Sequence, residues 1–343
     1  MMKAIALNFS QSINSSEWFT ETEVETPIPS PRDLLVRVKA ISVNPVDYKV
    51  RASPQMQHPS KILGWDSSEI VEAVGKEVTL FKPGDEVYYA GSFTRAGNNS
   101  EYHVVDERIV GKKPTSLSFE QAAALPLTTI TAWEALFERL GIEPQKTPHN
   151  QSSTLLIIGR AGGVGSIAIQ LAKQVAGLRT IATASRPETI EWCKKMGADL
   201  TIDHHQPFKS ELEAIGINNV DYILCLNDTD KRLQNMVDAI KPQGKICSIV
   251  GTDRPFDLNP FFSKSITFVW EMMFTKSMYE TADMQSQHDL LNQVATLIDQ
   301  GILKTTIAEN LGVLNIASLV KAHKLLESGM AFGKVVLSGM AVH

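Results

Sequence analysis

One stretch, LLIIGRAGGVGSIAIQLAK at residues 155–173, constrains this chain more than any other. Leu155 to Ile158 form an apolar run that meets a glycine cluster at Gly159, Gly162, Gly163 and Gly165. Val164, Ile167, Ala168, Leu171 and Ala172 then recur at helical spacing. The order predicts a buried strand, a tight turn and a helix. Glycine lets the turn approach a pyrophosphate closely, and the free N–H groups opening the helix face the anion. Gly159, Ala161, Gly162, Gly163, Val164 and Gly165 are therefore the expected dinucleotide-binding loop. Arg160 stands where a first glycine often sits; a phosphate contact and a solvent-facing position are both open for it.

The rhythm of the chain changes around this stretch. Strand-like runs follow at 154–158, 179–184, 199–202, 220–226, 245–250 and 265–270, most of them separated by helical segments. Strands interleaved with helices imply right-handed crossovers and a parallel, doubly wound sheet. Residues 1–126 read differently. In DLLVRVKA, Leu34, Val36 and Val38 alternate with Leu35, Arg37 and Lys39, and Pro83–Asp85 make a turn into a further strand, so this half reads as antiparallel and barrel-like. Ser118 and Gln121 have capping-box spacing and start a helix; TAWEALFERLG supplies a second that links the halves. The tail contributes two helices and a closing strand, GKVVLSG. The expected division is 1–126 with 274–343 as one domain and 127–273 as the other.

Composition narrows the function class. A chain of 343 residues with 43% hydrophobic and 21% charged content is an ordinary globular protein with room for two cores. Its net charge of −5 is mixed along the chain, which argues against a nucleic-acid surface. No run approaches the roughly 20 apolar residues of a membrane span, and the N-terminus lacks the apolar stretch of a signal peptide. A cytoplasmic protein without a membrane partner is expected. Cys193, Cys225 and Cys247 show no CxxC spacing, so neither a disulfide framework nor a cysteine-rich zinc site is expected. Cys225 and Cys247 sit in apolar runs and read as core.

The second strand discriminates between the two nicotinamide coenzymes. NAD-specific domains place an acid at its tip to bind the ribose hydroxyls; here the tip is Ser185-Arg186-Pro187. A guanidinium and a hydroxyl suit a dianionic 2′-phosphate, which a carboxylate would repel. NADPH is the expected cofactor.

Five segments together carry a family resemblance: VNPVDYKVR at 43–51, GDEV at 84–87, AALPLTTITAWEAL at 123–136, AGGVG at 161–165 and GKVVL at 333–337. The chain resembles the medium-chain dehydrogenase/reductases, within the quinone oxidoreductase group often called zinc-type alcohol dehydrogenase-like. The resemblance implies an α/β protein with a GroES-like β-barrel catalytic domain and a Rossmann domain, the C-terminal segment returning to the barrel. It implies a homodimer formed through the edge of the cofactor sheet near 265–270. It also places His204 near the 2′-phosphate and Thr131 beside the nicotinamide, with Gly251 and Lys334 completing the cofactor set.

Alcohol dehydrogenases of this family hold zinc with a cysteine, a histidine and a further cysteine or acid. Those positions fall here on Asn44, Trp65 and Leu127, and an amide, an indole and an alkyl chain cannot replace thiolate and imidazole. His58 and His103 are scattered, and no metal is expected. Without a metal to polarise an oxygen, oxidising a simple alcohol is hard. A quinone or conjugated enone accepts hydride readily, and hydrogen-bond donors then suffice. The expectation is a zinc-independent NADPH oxidoreductase acting on a quinone or α,β-unsaturated carbonyl. The alternative is an NADPH-binding sensor or interaction protein with little turnover. Asn44 and Tyr48, expected at the mouth between domains, are the candidates for bonding substrate or nicotinamide. A phenol can donate to a developing enolate and relay a proton, while barrel packing is the other reading of Tyr48. Asp47 is expected to orient backbone or Lys49, with acid–base work as its other reading. Trp65, Phe93 and Trp270 are candidate walls of an apolar pocket.

Overall fold

The computed structural model describes residues 1–8, 18–53, 61–159, 161–252 and 254–341; Arg160 and His58 lie outside them. The chain folds as two compact units, Met1–Leu127 with Phe274–His343, and Thr128–Met273.

The second unit is a six-stranded sheet, every neighbouring pair parallel, in the order Leu200–Ile202, Arg179–Thr183, Thr154–Ile158, Val220–Cys225, Ile240–Ser248, Thr267–Trp270. In chain order that is 3-2-1-4-5-6, the doubly wound arrangement, with the topological switch beside the first strand. All five residues of Thr154–Ile158 are buried, as a central parallel strand covered on both faces demands. The glycine-led helix runs Gly163–Gln170 and continues as a wider turn, Leu171–Ala176, closed by Gly177 at φ +78°. Helix Pro187–Met196 opens on proline and stops at Gly197, φ +107°, the usual asymmetry of helix ends. Cys193, Cys225 and Cys247 are free and buried in this unit, and burial pushes their thiols up to about 11, 11 and 12. They are core residues.

The first unit is organised by one long strand, Asp33–Val43. It pairs antiparallel with Ser67–Val74 on one edge. On the other edge its first half pairs with Tyr102–Asp106 and its last residues with Lys334–Ser338. Six strands, Asp33–Val43 among them, make the main path of this sheet, from Ile307–Val313 to Val110–Lys112, and Tyr102–Asp106 lies off that path. The capping box expected at Ser118 and Gln121 forms and opens helix Phe119–Ala123.

A buried polar chain crosses this barrel. The Tyr89 hydroxyl lies 2.7 Å from Glu69 Oε2 and 2.6 Å from His103 Nδ1, while His103 Nε2 lies 2.8 Å from the Ala96 carbonyl. A carbonyl only accepts, so Nε2 carries the proton and Nδ1 accepts from Tyr89. Tyr89 has one proton to give, so the proton on the Glu69 side belongs to the carboxyl. Burial agrees, raising Glu69 to about 7 and lowering His103 to about 4. Both ring nitrogens of His103 are thus engaged within the barrel.

Candidate active site

The glycine turn is held from three sides. Gly159 has φ +152°, and a Cβ there would meet the Leu226 Cβ at 2.8 Å, so only glycine fits. Thr183, at the end of the second strand, accepts from Gly159 N–H at 3.1 Å and donates to the Gly159 carbonyl at 3.2 Å. Ser166 Oγ donates back to the Gly162 carbonyl at 2.7 Å and accepts from Trp192 Nε1 at 2.8 Å. Gly162 caps the helix in an extended conformation, leaving the first-turn N–H groups of Gly163, Val164 and Gly165 without helical acceptors. Such an end attracts an anion.

The adjacent strand ends supply cationic and polar groups. Thr183 pairs in register with Ile202, and Ala184 N–H donates to the Ile202 carbonyl at 2.9 Å. Both strands end here, so Ser185 and His204 each lie two residues past a strand end. Ser185 and Arg186 are half-buried, and Thr189 Oγ1 fixes the Arg186 carbonyl at 2.8 Å. Arg232 donates to the His204 carbonyl at 2.7 Å. The nearest following acid, Glu188, is exposed. Past the fifth strand, Thr229 Oγ1 bonds Ser248 Oγ at 2.6 Å and the Val250 carbonyl at 2.7 Å, which fixes the chain just before Gly251. A Cβ on Gly251 would meet nothing within 4 Å. Thr131 is buried on helix Pro126–Trp133. The glycine turn and the first N–H groups of helix Gly163–Gln170 make a site that suits an anion.

The first unit holds a second cluster. Val335 pairs with Val43, so Lys334 stands beside Asn44 although 290 positions separate them. Lys334 Nζ donates to Asn44 Oδ1, to Asp66 Oδ2 at 2.8 Å and to the Val43 carbonyl at 3.5 Å. Asn44 Nδ2 donates to Asp66 Oδ2 at 3.1 Å and to the Ser42 carbonyl at 3.2 Å. Asp66 Oδ1 accepts from Leu127 N–H at 3.1 Å. Lys334 and Asp66 are 3% and 0% exposed, so the pair is desolvated. Burial pushes the Asp66 carboxyl up, and Lys334, Asn44 and the Leu127 N–H pull against it. With three donors aimed at it, the carboxylate is the paired, ionised partner.

Asn44 precedes helix Pro45–Ala52, and Asp47 accepts from Asn44 N–H at 2.7 Å, so Asp47 orients backbone as expected. Burial raises the Asp47 carboxyl to about 7. Tyr48, one position further on, is half-buried. Trp65 stacks on Phe93 at 5.3 Å and meets Phe274 edge-on at 6.2 Å. Trp270 does not behave as the pocket reading expects. It stands 45% exposed at the end of the outermost strand of the other unit, against Phe256 and Phe268, because the last residue of an edge strand has no neighbouring strand to cover it.

Sequence reasoning missed Thr183 and Asp66. A threonine ending a strand carries no signal of a bond to a loop 24 residues back, and Asp66 is marked only by its position after Trp65.

Comparison with known proteins gives one consistent answer. Residues 30–115 match the model of the alcohol dehydrogenase GroES-like domain and residues 196–337 that of the zinc-binding dehydrogenases. A zinc-type alcohol dehydrogenase-like protein of Staphylococcus epidermidis is 42% identical over 98% of this chain and 99% of its own. The 2-methylene-furan-3-one reductase of Solanum lycopersicum is 30% identical over 92% of this chain and 74% of its own. The chain belongs to the medium-chain dehydrogenase/reductase superfamily. Among solved members, a candidate zinc-dependent alcohol dehydrogenase from Rhizobium etli is 48% identical with a TM-score of 0.93, covering 99% of both chains. A quinone oxidoreductase from Pseudomonas syringae pv. Tomato is 28% identical with a TM-score of 0.80, covering 98% of this chain and 100% of its own.

Membership raises the question of zinc, which several of these names carry. At the positions where the superfamily's alcohol dehydrogenases place ligands, Asn44, Trp65 and Leu127 are 1%, 1% and 8% exposed. They offer an amide already saturated by Lys334, Asp66 and Ser42, an indole N–H bonded to the Ser92 carbonyl at 3.3 Å, and an alkyl chain. This donor set does not fit a catalytic zinc ion. An ammonium already neutralises the acid that stands among them.

Proposed function

We propose that this oxidoreductase of the medium-chain superfamily works without zinc, using NADPH to reduce a quinone or an α,β-unsaturated carbonyl. The observation that carries the reading is the donor set at Asn44, Trp65 and Leu127, gathered about a Lys334–Asp66 pair instead of thiolates and imidazoles. NADPH, when bound, supplies a hydride. The glycine turn and the first N–H groups of helix Gly163–Gln170 hold its pyrophosphate. Ser185, Arg186 and His204 hold the 2′-phosphate, while Thr131 and Gly251 border the rest of the coenzyme.

The acceptor decides how much help the protein must give. Hydride addition to a conjugated enone or quinone leaves an enolate or phenolate, whose charge a few donors can stabilise. Tyr48 supplies that donor and passes the proton the anion needs. Asn44, its amide protons both engaged, positions the start of the Tyr48 helix; Lys334 and Asp66 keep that amide in place. Dimerisation through the strand Thr267–Trp270 belongs to the same reading, supported by the exposed Trp270 at its end.

The test is an acceptor panel. NADPH should be consumed with quinones or enones, while ethanol with NADP stays inert. Tight NADPH binding with no turnover on any acceptor would contradict the reading.

A further inference from the structure

A donor cluster unrelated to Asn44, Asp66 and Lys334 lies just past the third strand of the parallel sheet. Asp203, His204 and His205 each offer one ligand atom, and these atoms lie within 4.8 Å of one another. Consecutive side chains on an extended strand point to opposite faces, so a strand would separate the two imidazoles. The chain turns here instead: His205 N–H donates to Asp203 Oδ1 at 2.9 Å, an Asx-type turn. The two rings come to lie 4.2 Å apart, their planes at 44°. Neighbouring helices pin this backbone. Glu211 Oε2 accepts from Asp203 N–H at 3.0 Å, and Arg232 donates to the His204 carbonyl.

We propose that Asp203, His204 and His205 bind one transition-metal dication of the zinc, nickel or copper class. Two imidazoles and a carboxylate are the mixed nitrogen and oxygen set these ions prefer. Magnesium and calcium favour oxygen-only sets. Metal–nitrogen distances of about 2.0–2.1 Å bring tetrahedral ligand atoms to about 3.4 Å from one another. From a spread of 4.8 Å, side-chain rotation alone closes the gap, because the backbone already presents the three groups together. Three protein ligands leave a coordination position to water. His205 is exposed, so the ion enters from solvent. The metal takes His204, the side chain assigned above to the 2′-phosphate, and serves as a clasp on this turn that stabilises the folded chain by mass action.

The test titrates zinc, and separately nickel, into the metal-stripped full chain by calorimetry, with thermal unfolding alongside. The expected result is one ion per chain and a rise in Tm. His205→Ala and Asp203→Asn should each weaken binding about tenfold or more, and His205→Ala should leave NADPH turnover in metal-free buffer unchanged. Cobalt loaded in place of zinc should show the visible absorption of a low-coordinate nitrogen and oxygen site, lost in His205→Ala. No stoichiometric binding, or binding that survives both substitutions, would overturn the proposal.

Discussion

The loop at 159–165 is contiguous in the chain, whereas the Asn44–Asp66–Lys334 cluster gathers residues up to 290 positions apart. The loop presents backbone: a glycine that no other residue can replace at φ +152° and N–H groups without acceptors. The cluster presents side chains and uses every donor it has. Lys334 spends its ammonium on three acceptors, and Asn44 spends both amide protons. One region is arranged to receive charge, and the other has already neutralised its own. Substitutions should therefore act on coenzyme affinity at the first and on stability at the second.

The largest effect is expected at the buried pair. Lys334→Met strands the Asp66 carboxylate, and breaking such a pair costs about 3–5 kcal/mol. Asp66→Leu alone strands the ammonium at similar cost, while the double variant should recover most of the loss. Urea unfolding of the four proteins measures this; simple additivity would show that the two charges do not act as a unit.

Next is pH, where the barrel should respond and the glycine turn should not. Glu69 and Asp47 are both raised by burial to about 7, well above the ordinary carboxylate range. The folded protein therefore holds protons that the unfolded chain has already released. Their contribution is complete below the unfolded values and is lost as pH rises through about 7. The loss is on the order of 3 kcal/mol for each group. Glu69→Gln keeps a donor towards Tyr89 and should remove the Glu69 share of the slope. Unfolding midpoints between about pH 5 and 8 read it out; a stability that increases over that range would break the argument.

Arg186→Glu sharpens the contrast from the other side. Losing one charge-assisted bond to the 2′-phosphate is worth about 1.5–3 kcal/mol, or roughly ten- to a hundredfold in NADPH affinity. NADH affinity should change little and stability not at all. Equal loss for both coenzymes would remove Arg186 from this role. The smallest effect is Thr183→Val, which deletes the tie between the second strand and Gly159. About 1 kcal/mol of stability and a modest rise in both coenzyme Kd values are expected; an unchanged Kd would show that the turn holds its shape without it.

The same contrast explains what the sequence disclosed. Five buried residues in 154–158, the glycines after them and the Ser185-Arg186 tip are local signals, and the strand order around them follows from alternating strands and helices. The barrel cluster gave a weaker signal. Asn44, Trp65 and Leu127 could be identified as positions lacking metal ligands, but what fills the space could not. Lys334 reaches Asn44 only because Val335 pairs with Val43, a register set by tertiary packing. Trp270 was legible as an aromatic at a strand end, but its exposure depends on which strand forms the sheet edge. The Glu69–Tyr89–His103 chain joins three strands of the barrel and left no pattern along the sequence.

The central claim is that Lys334 and its partners occupy the ground a catalytic metal would need. The direct measurement is kcat for NADPH oxidation with a responsive enone, before and after exhaustive chelation and again with stoichiometric zinc restored. The account predicts the same kcat in all three states. Loss of turnover on chelation, recovered by zinc, would contradict it.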